Sequence, residues 1–161
     1  MTVFAANATP STVQVSSTTA IEVGMKFHST VNGQVLGVRF YKGTANTGTH
    51  LGHLWSSSGT LLATLTFTNE TASGWQTARF SNPVNITANT NYVVSYLAPV
   101  GRYAQNTSGF NAEQGTGQVR GNRNSLFNGN GVYRNTTTGA FPNNSSLTSY
   151  NYWVDVLFRA T

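Results

Sequence analysis

The feature that most constrains this chain is the small number of charges it has for covering a folded surface. Its 161 residues include nine Lys and Arg and four Asp and Glu. Exposed helix positions are normally filled by Glu, Lys, Arg, Gln and Ala, whereas the neutral Thr, Ser, Asn and Gly abundant here favour strands and turns. With 39% hydrophobic residues the chain can build a core, which excludes a disordered protein. We predict an all-β fold, an antiparallel β-sandwich of jelly-roll or immunoglobulin-like type, as a single domain over residues 1–161.

Alternation with a period of two residues supports this prediction. Leu36, Val38 and Phe40 share one face of a predicted strand, while Arg39 and Tyr41 point away from the core. The runs predicted as strands are 36–41, 60–68, 75–80, 84–86, 92–98 and 150–158, with weaker ones at 12–15 and 24–30. Short strands separated by turn signals are typical of a sandwich or barrel.

Two loop signals stand out. Asn32-Gly33 is the strongest hairpin signal, and it predicts that the strands on either side of it pair. From about residue 99 to 130 the chain is rich in Gly, Asn, Gln and Arg and has few consecutive apolar residues. Because interspersed aromatic residues such as Tyr103 can pin such a stretch to the core, we predict one long ordered loop region there, of the kind that often carries function.

The charge balance favours some partners over others. The net charge is +5 and the pI is near 9.9, and the nearest approach to a basic cluster is Arg120, Arg123 and Arg134. Nucleic-acid binders concentrate Lys and Arg more strongly, so we do not expect a nucleic-acid partner. An acidic polysaccharide would fit the same sign of charge.

Cysteine content and targeting signals limit the class of protein to which this chain can belong. The chain has no cysteine, so disulfides and thiolate metal sites are excluded. No apolar run approaches the roughly twenty residues of a membrane helix, and residues 1–5 lack a basic n-region and a long apolar h-region. We expect no membrane insertion, and a monomeric domain cut from a larger multidomain exported protein.

Catalytic groups are sparse. The acids are Glu22, Glu70, Glu113 and Asp155, and the histidines are His28, His50 and His53. Hydrolysis normally needs paired carboxylates, an activated nucleophile or a metal, and neither a G-x-S-x-G elbow nor an H-E-x-x-H motif is present. We expect that the protein is not an enzyme.

Metal binding has two candidate sets of ligands. His50 and His53, three apart on a strand, would point to opposite faces and could share a metal only across a turn. Calcium fits the Asn- and Gly-rich loops better, with Asp155 and Glu70 as candidate ligands. The alternative for Asp155, in a predicted strand, is an ion pair with a base such as Arg39 or Lys42. We expect no required cofactor, with a structural calcium ion as the option left open.

The aromatic residues suggest a different kind of binding. Sugar rings stack on aromatic side chains while neutral polar groups bond their hydroxyls. If Leu54 faces the core, His53 and Trp55 face outward. The candidate ligand-binding residues are Arg39, Tyr41, His53, Trp55, Arg102, Tyr103 and Tyr133. The alternative is that the tryptophans pack in the core or cap a sheet edge.

Much of the chain resembles a known family. The runs that carry the resemblance are GVRFYKG at 37–43, NTGTH at 46–50, LWS at 54–56, GTLLA at 59–63, FTNETASGWQ at 67–76, NGVY at 130–133 and YWVDV at 152–156. They are similar to the bacterial domain of unknown function 4082. The resemblance implies a β-sandwich accessory unit of large exported proteins and brings no catalytic residues. Where that family often has His, this chain has Arg102, so ligand specificity at this loop would differ.

These observations lead to one functional expectation with two alternatives. We expect a non-catalytic accessory module of a secreted or cell-surface bacterial protein that binds a polysaccharide or other glycan, with neighbouring domains of the same polypeptide as its other partners. The first alternative is a structural or adhesive spacer without a small ligand. The second is an enzyme.

Overall fold

The computed structural model describes residues 1–126, 129–145 and 148–161, and within them the fold is built from strands. The strands are β1 Ile21–Ser29, β2 Gly33–Lys42, β3 Leu51–Ser56, β4 Leu61–Thr66, β5 Gly74–Ile86, β6 Tyr92–Ala98, β7 Val119–Gly121, β8 Val132–Asn135, β9 Asn144–Ser145 and β10 Val154–Ala160. A short 3₁₀ helix spans Asn124–Leu126. The described residues contain no α-helix, and none of their helices has the length and apolar character needed to cross a membrane.

The strands form two antiparallel sheets that pack face to face. The larger sheet has the order β4-β3-β6-β1-β8-β9, with β7 also paired to β1, and the smaller has the order β10-β2-β5. This confirms the predicted all-β sandwich.

The core between the sheets depends on aromatic stacking. Phe40 of β2 and Tyr96 of β6 stack with ring centroids 4.1 Å apart, and Phe67 meets the Phe40 ring edge-on at 4.8 Å. Phe40 and Tyr96 are fully buried. Val38 and Val156, from neighbouring strands of the smaller sheet, are also fully buried, as alternation predicted for Val38.

The predicted hairpin at Asn32-Gly33 is wrong. The strands on either side, β1 and β2, belong to different sheets, so the chain crosses the sandwich at this point. Gly33 is needed for a different reason: a Cβ there would lie 2.3 Å from the ring of Phe158. The glycine therefore permits a close approach between β2 and β10 rather than a tight reversal.

Other predicted boundaries shift. The runs 75–80 and 84–86 are parts of one strand, β5, whose pairing with β2 changes register between them. The run 12–15 contributes only an isolated bridge between Thr12 and Gln105. The predicted loop region is largely irregular but contains β7, and its residues 127 and 128 lie outside the described residues.

The outer face of the smaller sheet is covered by the N-terminal segment. Arg39, expected to point away from the core, does so but is only 6% exposed. Its Nη2 lies 2.8 Å from Asp155 Oδ2 and also donates to the carbonyl of Phe4. Asp155 also accepts hydrogen bonds from the backbone N–H groups of Val3 and Phe4, at 2.9 and 3.0 Å. The ion pair proposed for Asp155 is therefore present, and it fastens residues 3–4 to the sheet.

We expect Asp155→Asn to lower the free energy of unfolding by about 3 kcal/mol, because it leaves the buried Arg39 guanidinium without its counter-charge. Urea denaturation measures the change. The double variant Arg39→Gln/Asp155→Asn, which leaves no uncompensated charge, should be more stable than the single variant. A single variant as stable as the wild type would contradict this account.

Candidate functional site

A cleft of about 620 Å³ opens at one end of the sandwich. Its walls are formed by tyrosine rings and by short hydroxyl and amide side chains. The lining residues are Ser17, Thr19, Ile21, Tyr103, Tyr133, Asn135, Ser145, Thr148, Tyr150 and Tyr152. None of these residues carries a formal charge at neutral pH, and the volume is in the range of small-molecule sites.

One wall of the cleft is formed by β8, and strand alternation determines which of its side chains face the cleft. Val132 and Arg134 of β8 pair with Gly24 and Glu22 of β1, and Val132 packs in a cluster on the outer face of the larger sheet. Tyr133, between them, therefore faces the other way and packs against the main core. Asn135 ends β8 on the same side and also lines the cleft.

The opposite wall comes from loops that are tied to each other. Tyr103 accepts a backbone hydrogen bond from Val15 through its carbonyl. Residue 151 forms an antiparallel bridge with Asn106, which holds Tyr150 and Tyr152 beside Tyr103 just before β10 begins. The cleft thus brings together residues that precede β1 of the larger sheet, Ser17 and Thr19, and residues that precede β10 of the smaller sheet, Tyr150 and Tyr152.

The tyrosine rings lie at steep angles to one another. The Tyr103 and Tyr152 rings meet edge-on, with centroids 5.5 Å apart and an angle of 79°. The Tyr150 and Tyr152 rings are 6.0 Å apart at 59°. Burial raises the pKa of Tyr103, and the neighbouring Tyr150 and Tyr133 phenols raise it further. Burial also raises the pKa of Tyr152. The phenols of Tyr103 and Tyr152 therefore stay protonated at physiological pH, and a protonated phenol can donate and accept a hydrogen bond.

Two of the predicted ligand-binding residues, Tyr103 and Tyr133, lie in this wall. Arg102 is not a lining residue, but it adjoins the rim of the cleft because it precedes Tyr103 and its backbone N–H donates to the carbonyl of the lining residue Ser17 at 2.9 Å. The predicted strand 150–158 does not point to Tyr150 and Tyr152 as site residues, because β10 begins only at Val154 and both tyrosines precede it.

Arg39 and Tyr41 lie elsewhere, on the outer face of the smaller sheet. Tyr41 meets Trp75 and Trp153 edge-on, at 5.6 and 6.2 Å between centroids. The Arg39 guanidinium carbon lies 3.9 Å from the centre of the Trp75 ring, and Phe4 packs on both tryptophans. Arg39 and Tyr41 therefore do not line the cleft that contains Tyr103, and ligand binding by these two residues stays a prediction.

His53 and Trp55 are also buried, on the outer face of the larger sheet. Trp55 Nε1 donates to Ser95 Oγ at 2.8 Å, and Ser95 Oγ donates to Glu22 Oε1 at 2.6 Å. His53 Nδ1 lies 2.7 Å from the same oxygen. Glu22 Oε2 is buried and has no hydrogen-bond partner among the described residues.

The loop 136–143 covers this network, and alternation along β3 could not reveal it. Phe141 meets the Trp55 ring edge-on at 5.7 Å. Gly139 lies so close to His53 that a Cβ would be 2.8 Å from the imidazole Cε1. His53 and Trp55 do face away from the core, as predicted, but the loop removes them from the surface.

The remaining candidate metal ligands are also engaged. His50 is fully buried against the Phe40 ring, with Nδ1 2.8 Å from Glu70 Oε2, and Glu70 Oε1 lies 3.0 Å from Lys42 Nζ. Burial lowers the pKa of His50, while Glu70 raises it. Within the described residues no group of three or more His, Asp or Glu could hold a metal ion. Calcium binding by Asp155 and Glu70 stays a prediction.

Comparison with protein-family models gives one finding. The model described as a domain of unknown function, DUF4082, matches residues 7–154. No curated protein matches the chain. The matched span includes strands β1 to β9 and all of the cleft-lining residues.

We expect Trp55→Ala to lower the free energy of unfolding by about 3–5 kcal/mol, because it empties a buried space between β3 and the loop 136–143. Thermal or urea denaturation measures the loss. Trp55→Phe, which keeps a ring but removes the donor to Ser95, should cost less. If the Ala variant were as stable as the wild type, the indole would not be a packing element.

Glu22 should make stability depend on pH. Burial raises its pKa, with His53 and Ser95 opposing, so the folded protein holds this proton more tightly than the unfolded chain. Its contribution to stability is present below the unfolded pKa of about 4.3 and is lost as the pH rises through the raised pKa of the folded state.

Glu22→Gln removes this titration, so the stability of the variant relative to the wild type should increase with pH across that window. Urea unfolding of both proteins, at steps from about pH 4 to about pH 8, tests the sign. A difference that is constant with pH would contradict the assignment.

Proposed function

The chain belongs to the family of the domain of unknown function DUF4082, and from this premise we propose that it is a non-catalytic module that binds a saccharide in the tyrosine-lined cleft. The family description assigns no ligand, so the proposal rests on the chemistry of the cleft. The same proposal includes an accessory role in a secreted bacterial protein, which the family resemblance supports.

The observation that carries the proposal is the convergence of four tyrosines, Tyr103, Tyr133, Tyr150 and Tyr152, in one concave surface. Saccharides present C–H faces that pack on aromatic rings and hydroxyls that need both donors and acceptors. Tyrosine hydroxyls supply both, and so do the Ser, Thr and Asn side chains between them. A wall without formal charges also avoids the cost of desolvating an ion when the ligand enters.

The arrangement of acids and histidines supports a binding role rather than catalysis. Each of the four carboxylates lies in an ion pair or in a contact with a histidine. The pairs are Glu22 with His53, Glu70 with His50 and Lys42, Glu113 with His28 and Arg120, and Asp155 with Arg39. None of these groups is in the wall of the cleft. A general acid or base must reach the reacting atoms of a bound substrate.

A structural spacer is the second candidate function. It is favoured by the tryptophans, since Trp55 and Trp153 are buried and Trp75 packs against both Arg39 and Phe4. Packing alone therefore explains the tryptophans in the runs that resemble the family. These contacts do not involve the tyrosines of the cleft, so the two functions can be separated by experiment.

We expect the wild-type domain to bind members of a glycan array that spans neutral and acidic polysaccharides. Tyr133→Ala and Tyr150→Ala should each weaken binding at least about tenfold, as expected when an aromatic anchor is removed from a binding site. Tyr41→Ala is the matched control. It removes a tyrosine side chain from the outer face of the smaller sheet, outside the cleft, and should leave binding unchanged.

Circular dichroism and thermal melting confirm that each variant is folded before its affinity is compared. A folded wild type that binds no glycan on the array would favour the spacer. Equal losses for Tyr41→Ala and the two cleft variants would also contradict a site in the cleft.

A further inference from the structure

We propose that the saccharide bound in the cleft carries an anionic group, a carboxylate or sulfate, and that Arg102 selects it. This inference rests on the proposed function and names its ligand class. Arg102 would add a charged contact at the rim of a cleft whose wall is neutral.

The position of Arg102 is fixed by two neighbours that line the cleft. It directly precedes Tyr103 in the chain, and its backbone N–H donates to the carbonyl of Ser17 at 2.9 Å. Tyr103 and Ser17 both belong to the wall. The Arg102 backbone is therefore held beside two lining residues, and although Arg102 is not itself part of the wall, its side chain is long enough to reach a ligand in the cleft.

Arg102 also differs from the cations whose charge is already used. Arg39, Lys42 and Arg120 each form an ion pair with a carboxylate. Arg102 takes part in no ion pair or side-chain hydrogen bond with any residue that the structure describes. Its guanidinium is thus available to a ligand without breaking an internal contact.

The backbone at this position does not favour arginine. Arg102 has φ 54°, in the left-handed region, and follows Gly101 with φ 65°. Glycine or asparagine adopts this conformation more easily than a long side chain does. The local fold thus gives no reason for an arginine here, and a role for its side chain does.

The carboxylates of the chain would not compete for this cation or repel an anionic ligand. Glu22 is buried beside His53, and Asp155 is buried against Arg39. Glu70 and Glu113 are each paired with a base. Because the net charge is +5, the field around the domain also attracts anions. The planar guanidinium matches the two oxygens of a carboxylate or sulfate.

The test compares acidic polysaccharides with the same chains after their carboxylates are reduced to alcohols. Polygalacturonate, alginate and hyaluronan serve as probes, and isothermal titration or affinity electrophoresis gives the affinities. The wild type should bind at least one acidic form about tenfold more tightly than its reduced form, the usual value of a charge-assisted hydrogen bond. Added salt should reduce this preference.

Arg102→Asn is the informative variant, since asparagine is neutral and tolerates a positive φ. It should bind the acidic and reduced forms equally while keeping the thermal stability of the wild type. Arg79→Gln is the matched control. It removes the same charge from β5 in the smaller sheet and should keep the preference.

Several outcomes would overturn the inference. Equal wild-type affinity for acidic and reduced forms would do so, as would equal losses in the Arg102 and Arg79 variants, which would indicate a net-charge effect. Binding of poly-L-glutamate or duplex DNA as tight as that of the polysaccharides would indicate a general polyanion surface. If the array reveals only neutral ligands that depend on Tyr150, this inference fails and the proposed function stands. If no glycan binds, the proposed function fails.

Discussion

The carboxylate of Asp155 connects parts of the chain that are far apart in sequence. It is the second residue of β10, pairs with Arg39 of β2, and accepts backbone hydrogen bonds from Val3 and Phe4. Without it, the N-terminal segment would lose two of its hydrogen bonds to the smaller sheet, and the guanidinium would be buried without a counter-charge. The cleft tyrosines Tyr150 and Tyr152 directly precede β10, the strand that carries this carboxylate.

The scarcity of carboxylates gives each one a large structural effect. Three of the four acids contact a histidine, and three contact a lysine or arginine. Among the residues described, Glu22 contacts no lysine or arginine, and one of its oxygens has no hydrogen-bond partner. A buried carboxylate in this situation is costly, which is why burial raises its pKa. The loop 136–143 nevertheless stays closed over it, because Phe141 packs on Trp55.

Sequence reasoning succeeded where the pattern is local. Alternation identified the sandwich and the core-facing Val38 and Phe40, and the place of Asp155 in a predicted strand favoured an ion pair with a base such as Arg39 or Lys42. It failed where a remote segment covers a strand, because residues 1–9 and 136–143 leave no periodic trace in β2 or β3. Alternation correctly predicted that Arg39 and Trp55 face away from the core, but it could not show that other segments of the chain bury both side chains. Tyr103 and Tyr133 were identified as ligand-binding candidates, but their meeting with Tyr150 depends on which strands are neighbours, which alternation does not encode.

The cleft separates the sources of affinity and specificity in the proposed function. Rings and hydroxyls in a neutral wall can hold many saccharides, since every sugar presents apolar faces and hydroxyls. A charge inside that wall would have to be desolvated for each ligand, including those that do not need it. Arg102 is partly buried beside the cleft and is not part of its wall, so in the proposed function it adds affinity for one class of ligand without placing a charge inside the neutral wall. An arginine beside the cleft thus discriminates between ligands, while the ion pairs of the chain maintain the fold.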